Sequence, residues 1–457
     1  MTNLSQGTEI RIRAMRTPSI SLRRLCCPVW AFLLAMPLFA SAQTSIDVAK
    51  NATSSDLTEA LLGPSVWSTG VLPGKWVDTS TQSERKGKEL KTLGPVLGIR
   101  PQQVTAALQE EKLARLDIIF LEAGNFFGFR KSHELRAQQK SGQSHQEERA
   151  LEKQIKEQTK EEERQLEAKR VEFKKLFDQY EKELTAALEK FTGKPGERVT
   201  VGRNRMLRSR SLEFSTEAAR MRLTAEDDQL IALAVIPAGD AAGKSSKLAT
   251  VTGSDRRAGV KQSVKTLPNG DVFLDGIPMV NQGSRGYCAI GTLAMICTFY
   301  GLQVNIDQLA SRAGYKEGDT ENAEVIPIYE AAAKEGRLRM KQVSSFEFRS
   351  VMRQIDEGHP ILVWRYFTRE RDAFHHKFAA EYAADPSKQL PDPRKDKAER
   401  GRWATQAGGG HASLITGYNK AREEVLFTES WGEGNRNRRM RQEEMAAIAY
   451  VLFTFTP

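Results

Sequence analysis

From Gln146 to Phe191 the chain contains neither glycine nor proline, the two residues least compatible with a helix interior. The same stretch carries 13 acidic and 11 basic residues through Lys190. Pairs such as Glu152 with Lys156 and Asp178 with Lys182 stand one helical turn apart, where opposite charges support each other. This pattern predicts a long, solvated helix over 146–191 and excludes an all-β chain. Its apolar seam is developed only in the second half, at Leu166, Phe173, Phe177, Tyr180, Leu184, Leu188 and Phe191. Leu151 and Ile155 continue it weakly upstream. A coiled-coil dimer needs a seam sustained over about three or four heptads, so an intramolecular helical arm is favoured over a coiled coil.

The 457 residues leave room for two or three domains. Before the charged stretch, residues 43–100 are mixed, with turn signals at Gly63-Pro64, Pro73-Gly74 and Gly94-Pro95 and with Trp67 and Trp76 as anchors. Apolar residues at Val104, Leu108, Leu113, Leu116, Ile119 and Phe120 have helical spacing, which predicts a helix within 101–128 starting near Pro101. Beyond Gly193-Lys194-Pro195-Gly196 the pattern turns to alternation at 197–202, 210–215, 218–223 and 229–236, the signature of a small antiparallel β unit over 193–237. Residues 238–264, rich in Ala, Gly, Ser and Lys, read as a linker to a last domain over 265–457. The N-terminal region, 43–192, and the β unit show no chemical constellation.

Residues 1–42 read as a secretory signal peptide. A basic segment ends at Arg23-Arg24, an apolar run follows through Met36, and Ala40-Ser41-Ala42 forms a small-x-small cleavage site. The run is short and broken by Pro28 and Pro37, so no stable membrane span is expected after cleavage. A secreted or periplasmic protein is predicted. Five Arg against one Glu in this segment hold +4 of the +10 formal charge. The rest is spread over mixed-sign stretches, which argues against a nucleic-acid partner.

Cleavage after Ala42 removes Cys26 and Cys27 and leaves Cys288 and Cys297. Nine residues apart on one helix, their Cα atoms are ~13 Å apart, beyond the reach of a disulfide. Both are therefore free thiols. Cys297 falls on the apolar face of its helix and reads as a buried small hydrophobe. Cys288 is different: the loop Asn281-Gln282-Gly283-Ser284-Arg285-Gly286-Tyr287 delivers it to the start of an apolar helix, where the helix dipole and free N–H groups favour the thiolate. Gln282 can turn its amide back toward an oxyanion formed there. Downstream, His411 heads an apolar strand after Gly408-Gly409-Gly410 and supplies a general base. A following strand ends in Glu429-Ser430-Trp431, and antiparallel pairing puts Glu429 beside His411, fixing its tautomer. Asn419, in the turn after the His411 strand, is the rival for that role. Trp431 would cover the His411–Glu429 hydrogen bond.

The order Gln-Gly-x-x-Gly-x-Cys, His-Ala-x-x-x-x-Gly-Tyr and x-Ser-Trp-Gly resembles the papain-like cysteine peptidase superfamily, most closely its bacterial bacteriocin-processing-peptidase-like (peptidase C39-like) branch. The resemblance covers roughly residues 275–457. It implies Cys288 as nucleophile, His411 as general base and acid, Gln282 as oxyanion donor and Glu429 as the residue orienting His411. Three departures are visible. Glu429 stands where Asn or Asp is usual. Arg285 and Ala289 stand where plant-type members have a disulfide Cys and a Trp. About 40 residues rich in charge, 369–407, stretch the spacing before His411, and they read as a solvated excursion. His375 and His376 are adjacent and lack metal-ligand spacing, so no metal and no cofactor are expected.

Helices expected at 304–310, 322–335 and 346–357, then strands at 360–367, 411–418, 424–429 and 448–456, indicate an α+β fold: a helix bearing the nucleophile packed on an antiparallel sheet, preceded by the helical arm and the β unit. The function that follows is an exported cysteine peptidase acting on a protein or peptide substrate through an acyl-enzyme. The same site would also serve acyl transfer or isopeptide hydrolysis. A second reading, kept open by Glu429, is a catalytically silent scaffold whose helix 146–191 engages a partner in the cell envelope.

Overall fold

The computed structural model describes residues 55–69, 71–81, 85–91, 93–109, 112–128, 145–201, 204–226, 229–238, 253–283, 285–302, 304–315, 323–406 and 409–457. The export signal expected over 1–42 lies outside them. Among the described residues no helix is long and apolar enough to cross a membrane.

Two short helices, α1 (Thr58–Leu62) and α2 (Pro64–Thr69), precede four strands, β1 (Trp76–Thr81), β2 (Arg85–Leu90), β3 (Gln103–Gln109) and β4 (Lys112–Glu122). A short helix, α3 (Ala123–Phe127), and a 48-residue helix, α4 (His145–Thr192), come next. Four more strands follow: β5 (Glu197–Val201), β6 (Ser209–Ser215), β7 (Ala219–Glu226) and β8 (Leu230–Pro237). All eight strands form one sheet in the order β1-β2-β3-β4-β8-β7-β6-β5. Two antiparallel meanders meet at its centre, where Leu116 faces Val235 and Ile118 faces Leu233.

Two sequence expectations are corrected here. The helix expected within 101–128 is the hairpin β3–β4. Val104 and Leu108 are four apart, a spacing that helix and strand share, and the alternation Val104-Ala106-Leu108 and Leu116-Ile118-Phe120, all buried, belongs to a strand. The β unit expected over 193–237 is not separate, because β8 joins β4 and the sheet extends back to Trp76.

Helix α4 closes one face of this sheet with its second half. Phe173, Phe177, Leu184 and Leu188 are buried in one core with Leu116, Ile118, Phe120 and Leu233. The Phe126 and Phe127 rings lie 5.1 and 5.3 Å from that of Phe173. A helix of this length spans about 72 Å, far more than the sheet can cover, and the ring of charges on its first half stays in solvent.

The C-terminal part holds a second eight-stranded sheet. Its elements are α5 (Gly253–Lys261), β9 (Val264–Thr266), β10 (Asp271–Leu274), α6 (Cys288–Phe299), α7 (Ile306–Arg312), α8 (Val325–Glu335), β11 (Arg339–Val343), α9 (Phe348–Asp356), β12 (Ile361–Tyr366), α10 (Arg369–Ala384), β13 (Gly410–Asn419), β14 (Glu424–Thr428), β15 (Arg438–Arg441), α11 (Gln442–Ile448) and β16 (Ala449–Thr456). The strand order is β11-β16-β12-β13-β10-β9, with β14 on the other side of β13 and β15 beyond it. Helices mixed with an antiparallel sheet make this an α+β architecture. The stretch expected to be a linker therefore contributes a helix, α5, and a strand, β9, to this part.

The described part of the expected solvated excursion, 369–406, is exposed over much of its length but anchored at several buried points. Helix α10 is held by buried charge: Arg371 Nε donates to Glu444 at 2.6 Å, and its Nη2 donates to Glu399. His375 bridges Glu444 at 3.0 Å and the Arg439 carbonyl at 2.9 Å. The Phe378, Tyr382 and Leu390 side chains form a small core of their own. Charged composition hid this anchoring, since Arg371 and Glu399 are paired inside while most of the segment's other charges face solvent.

Truncating the buried seam of α4 is expected to separate from truncating its outer face. Leu184→Ala should cost about 2–5 kcal/mol by urea unfolding of the full chain. Val171→Ala, at a position 66% exposed, should stay within about 0.5 kcal/mol. Equal losses would show that α4 is not seated on the sheet.

Candidate active site

Strand register assembles the site. Pairing of β12 with β13 sets Arg365 opposite His411 and Val363 opposite Ser413. Pairing of β13 with β14 sets Leu414 opposite Thr428, so Glu429, the next residue, reaches the level of Ser413. His411 and Ser413, two apart on one strand, point to the same face.

Helix α6 packs against β13 and is buried on almost every side, as its sequence of apolar and small residues requires. Gly291 permits the close approach: a Cβ there would lie 2.9 Å from the Cβ of Ser430. Thr292 ties the helix down by donating to the Cys288 carbonyl at 2.7 Å and to the Ala412 carbonyl at 3.4 Å. The first residue of α6 is Cys288, partly exposed, whereas Cys297 is buried in the core.

Cys288, His411 and Glu429 form one hydrogen-bonded chain. His411 Nε2 lies 2.6 Å from Glu429 Oε2. That leaves Nδ1 for the thiol, to which His411 is hydrogen-bonded. The Ala412 N–H also donates to Cys288. Glu429 is fully buried, and its second oxygen accepts from Arg365 Nη2 at 2.8 Å and Ser413 Oγ at 2.7 Å.

These contacts set the charges. Burial alone would raise the Glu429 carboxyl, but His411, Arg365 and the hydrogen bonds it accepts hold it down at about 2. Burial would lower His411, yet Glu429 first and then Cys288 raise it to about 9. Burial opposes ionisation of Cys288, but His411 and the Ala412 N–H outweigh it and bring the thiol below its ordinary range. Cys297, with nothing but burial acting on it, is pushed up to about 12. Both shifts act in the same sense, toward a thiolate–imidazolium pair and away from the neutral thiol and imidazole.

Aromatic rings wall this pair. Trp431 stacks on the His411 ring with centroids 4.9 Å apart and planes 27° apart, and Phe367 approaches the same ring at 4.9 Å. Gln282 is buried in the loop before α6. Its backbone N–H donates to the Ser430 carbonyl at 2.9 Å, its side-chain amide donates to the Arg285 carbonyl at 2.7 Å, and its side-chain oxygen accepts from Ser430 Oγ. The rival, Asn419, sits elsewhere. It bonds the Asn269 carbonyl and Asp271 at the far end of β13, roughly 26 Å along the strand from His411.

Sequence reading missed Arg365, Ser413 and Phe367. Ser413 was findable as the same-face neighbour of His411. Arg365 lies in a strand from which charge is otherwise absent (Ile361-Leu362-Val363-Trp364-Arg365-Tyr366), and a lone Arg in an apolar strand is a signal of a buried carboxylate partner.

Residues 274–456 match the Peptidase_C39 like family, and this part of the chain is a papain-like, C39-like domain. A crystal structure of a putative C39-like peptidase from Bacillus anthracis is similar at 12% identity and a TM-score of 0.28, covering 41% of this chain and 98% of that one. No curated protein matches the chain.

Neutralising the buried carboxylate should pull the imidazole down. In Glu429→Gln, the His411 titration followed by NMR is expected to fall from about 9 to below the ordinary histidine value, because burial then acts with only the thiolate opposing it. An unchanged midpoint would mean that Glu429 does not set the charge of His411.

Proposed function

We propose that the C39-like domain is an active cysteine peptidase that cleaves a protein or peptide through an acyl-enzyme. The observation that carries this reading is the unbroken chain from thiol to imidazole to buried carboxylate, with Nε2 committed to Glu429 at 2.6 Å. The Cys288 sulfur attacks the peptide carbonyl carbon, and the carbonyl π pair moves onto oxygen. The second amide hydrogen of Gln282 and the backbone N–H of Cys288 are the donors assigned to that oxyanion. His411, already protonated, gives its Nδ1 proton to the leaving amine as the C–N bond breaks. The neutral imidazole then takes a proton from water, which attacks the thioester and releases the acid and the thiolate. Glu429 keeps the ring oriented throughout and compensates its charge.

Glu429 in place of Asn or Asp was the ground for a catalytically silent scaffold. Its carboxylate nevertheless meets the imidazole at hydrogen-bond distance, which favours the catalytic reading. The signal segment at 1–42 assigns this activity to a compartment outside the cytoplasm, with a mature chain beginning at Gln43.

Iodoacetamide should alkylate Cys288 rapidly at pH 7, and His411→Ala should reduce that rate to that of an ordinary thiol. Turnover of casein should vanish in Cys288→Ala. The pH–rate profile should rise as the thiolate forms, below the usual thiol range, and fall near pH 9 as the imidazolium is lost. An alkylation rate indifferent to His411 would remove the peptidase assignment. Gln282→Ala should lower kcat by about 10²–10³ with a smaller effect on KM; a loss confined to KM would remove Gln282 from the oxyanion site.

A further inference from the structure

Two side chains of the loop just before Cys288, Tyr287 and Arg285, reach the other sheet. Tyr287, fully buried, donates its hydroxyl to Glu122 Oε1 at 2.8 Å. Glu122 is the last residue of β4, in the other sheet, and is itself buried. Its carboxylate also caps α3, accepting from the Gly124 and Asn125 N–H groups at 2.8 and 2.7 Å. Arg285 Nη1 lies 3.4 Å from Glu122 Oε2 and pairs with Asp307 at the start of α7. The same guanidinium donates from Nε to the Gln282 carbonyl at 2.7 Å and lies over the Tyr287 ring.

Glu122 thereby reaches both ends of the loop, the thiol end through Tyr287 and the Gln282 end through Arg285. Gly124 shows how close the fit is: a Cβ there would fall 2.5 Å from the Tyr287 hydroxyl. Tyr315 packs edge-on against the other side of the Tyr287 ring, 5.1 Å between centroids, so the ring is clamped between the two parts of the chain. Other contacts between those parts, Gln308 with Glu226 at 3.2 Å and the Asn204 N–H with Glu335 at 2.8 Å, lie on α7 and α8 and touch no residue of the loop.

We infer that Glu122 is a positioning residue for the reaction: the N-terminal sheet holds the Cys288 loop in its working geometry and acts as a built-in activator rather than an inhibitory segment. This rests on the cysteine-peptidase reading of the same site. A tie of this kind matters because catalytic groups tolerate little displacement; a shift of about 1 Å costs on the order of a hundredfold in rate. Tyr287 supplies the hydroxyl and Arg285 the second arm, while Glu122 touches no reacting atom.

Two readouts on the full chain test it. In Tyr287→Phe, which keeps the ring packing and removes only the hydroxyl, and in Glu122→Ala, amide hydrogen exchange across residues 279–290 should accelerate. Cys288 alkylation should slow by roughly tenfold or more, and kcat should fall with KM little changed. Gln308→Ala, at the same boundary but away from the loop, should alter none of these. Glu122→Asp should recover part of the alkylation rate. Unchanged exchange across the loop in Tyr287→Phe overturns the inference, as does an equal effect from Gln308→Ala. Slow alkylation of the wild-type chain with a protected loop would instead sink the peptidase reading and leave the tie between the sheets standing.

Discussion

A carboxylate sealed from water is unstable as an anion unless cations and donors surround it. Glu429 meets that condition through Arg365, Ser413 and His411, and the whole site follows from it. His411 and Arg365 together hold the acid ionised, the ionised acid favours the protonated imidazole, and the imidazolium lowers the thiol toward its thiolate. Take away the guanidinium and only His411 and Ser413 would be left to hold the buried Glu429 ionised. The charge on the Cys288 sulfur is thus tied, through the imidazole, to a carboxylate and a guanidinium supplied by two other strands.

Glu429 and Arg365 are also best understood as one choice. An Asn at 429 could orient the His411 ring but carries no charge, and among the described residues the carboxylate left to Arg365 would be Asp372, 4.0 Å away. The longer Glu reaches His411 with one oxygen and turns the other to Arg365 and Ser413, across strands β12 and β13. The methylene that distinguishes it from Asp is absorbed by its place just past the end of β14, where the backbone is no longer held in the ladder.

Much of this was legible beforehand, and the reasons differ by element. Cys288, Gln282, His411 and Glu429 were readable because glycines, a helix start and two strand patterns bracket them within short windows. The structure brings Cys288, His411 and Glu429 into one hydrogen-bonded chain and seats Gln282 in the loop leading to the thiol. Arg365 was not readable as a partner, because the register that sets it opposite His411 is a long-range fact. The hairpin β3–β4 was mistaken for helix because a four-residue spacing fits both periods, and β8's union with β4 left no local trace. In residues 369–407 composition spoke for solvent, and it hid the buried anchoring of Arg371 by Glu444 and Glu399.

The central pairing of the first sheet joins residues more than a hundred positions apart, Leu116 with Val235 and Glu122 with Leu230. During synthesis the first meander has no neighbour for its inner edge until β8 has emerged. Long-range closures of this kind form late. Glu122 sits at that seam, so the residue that reaches the Cys288 loop is seated only when the last strand of the preceding sheet arrives. A nascent chain must therefore close the seam of its first sheet before the Cys288 loop can be braced.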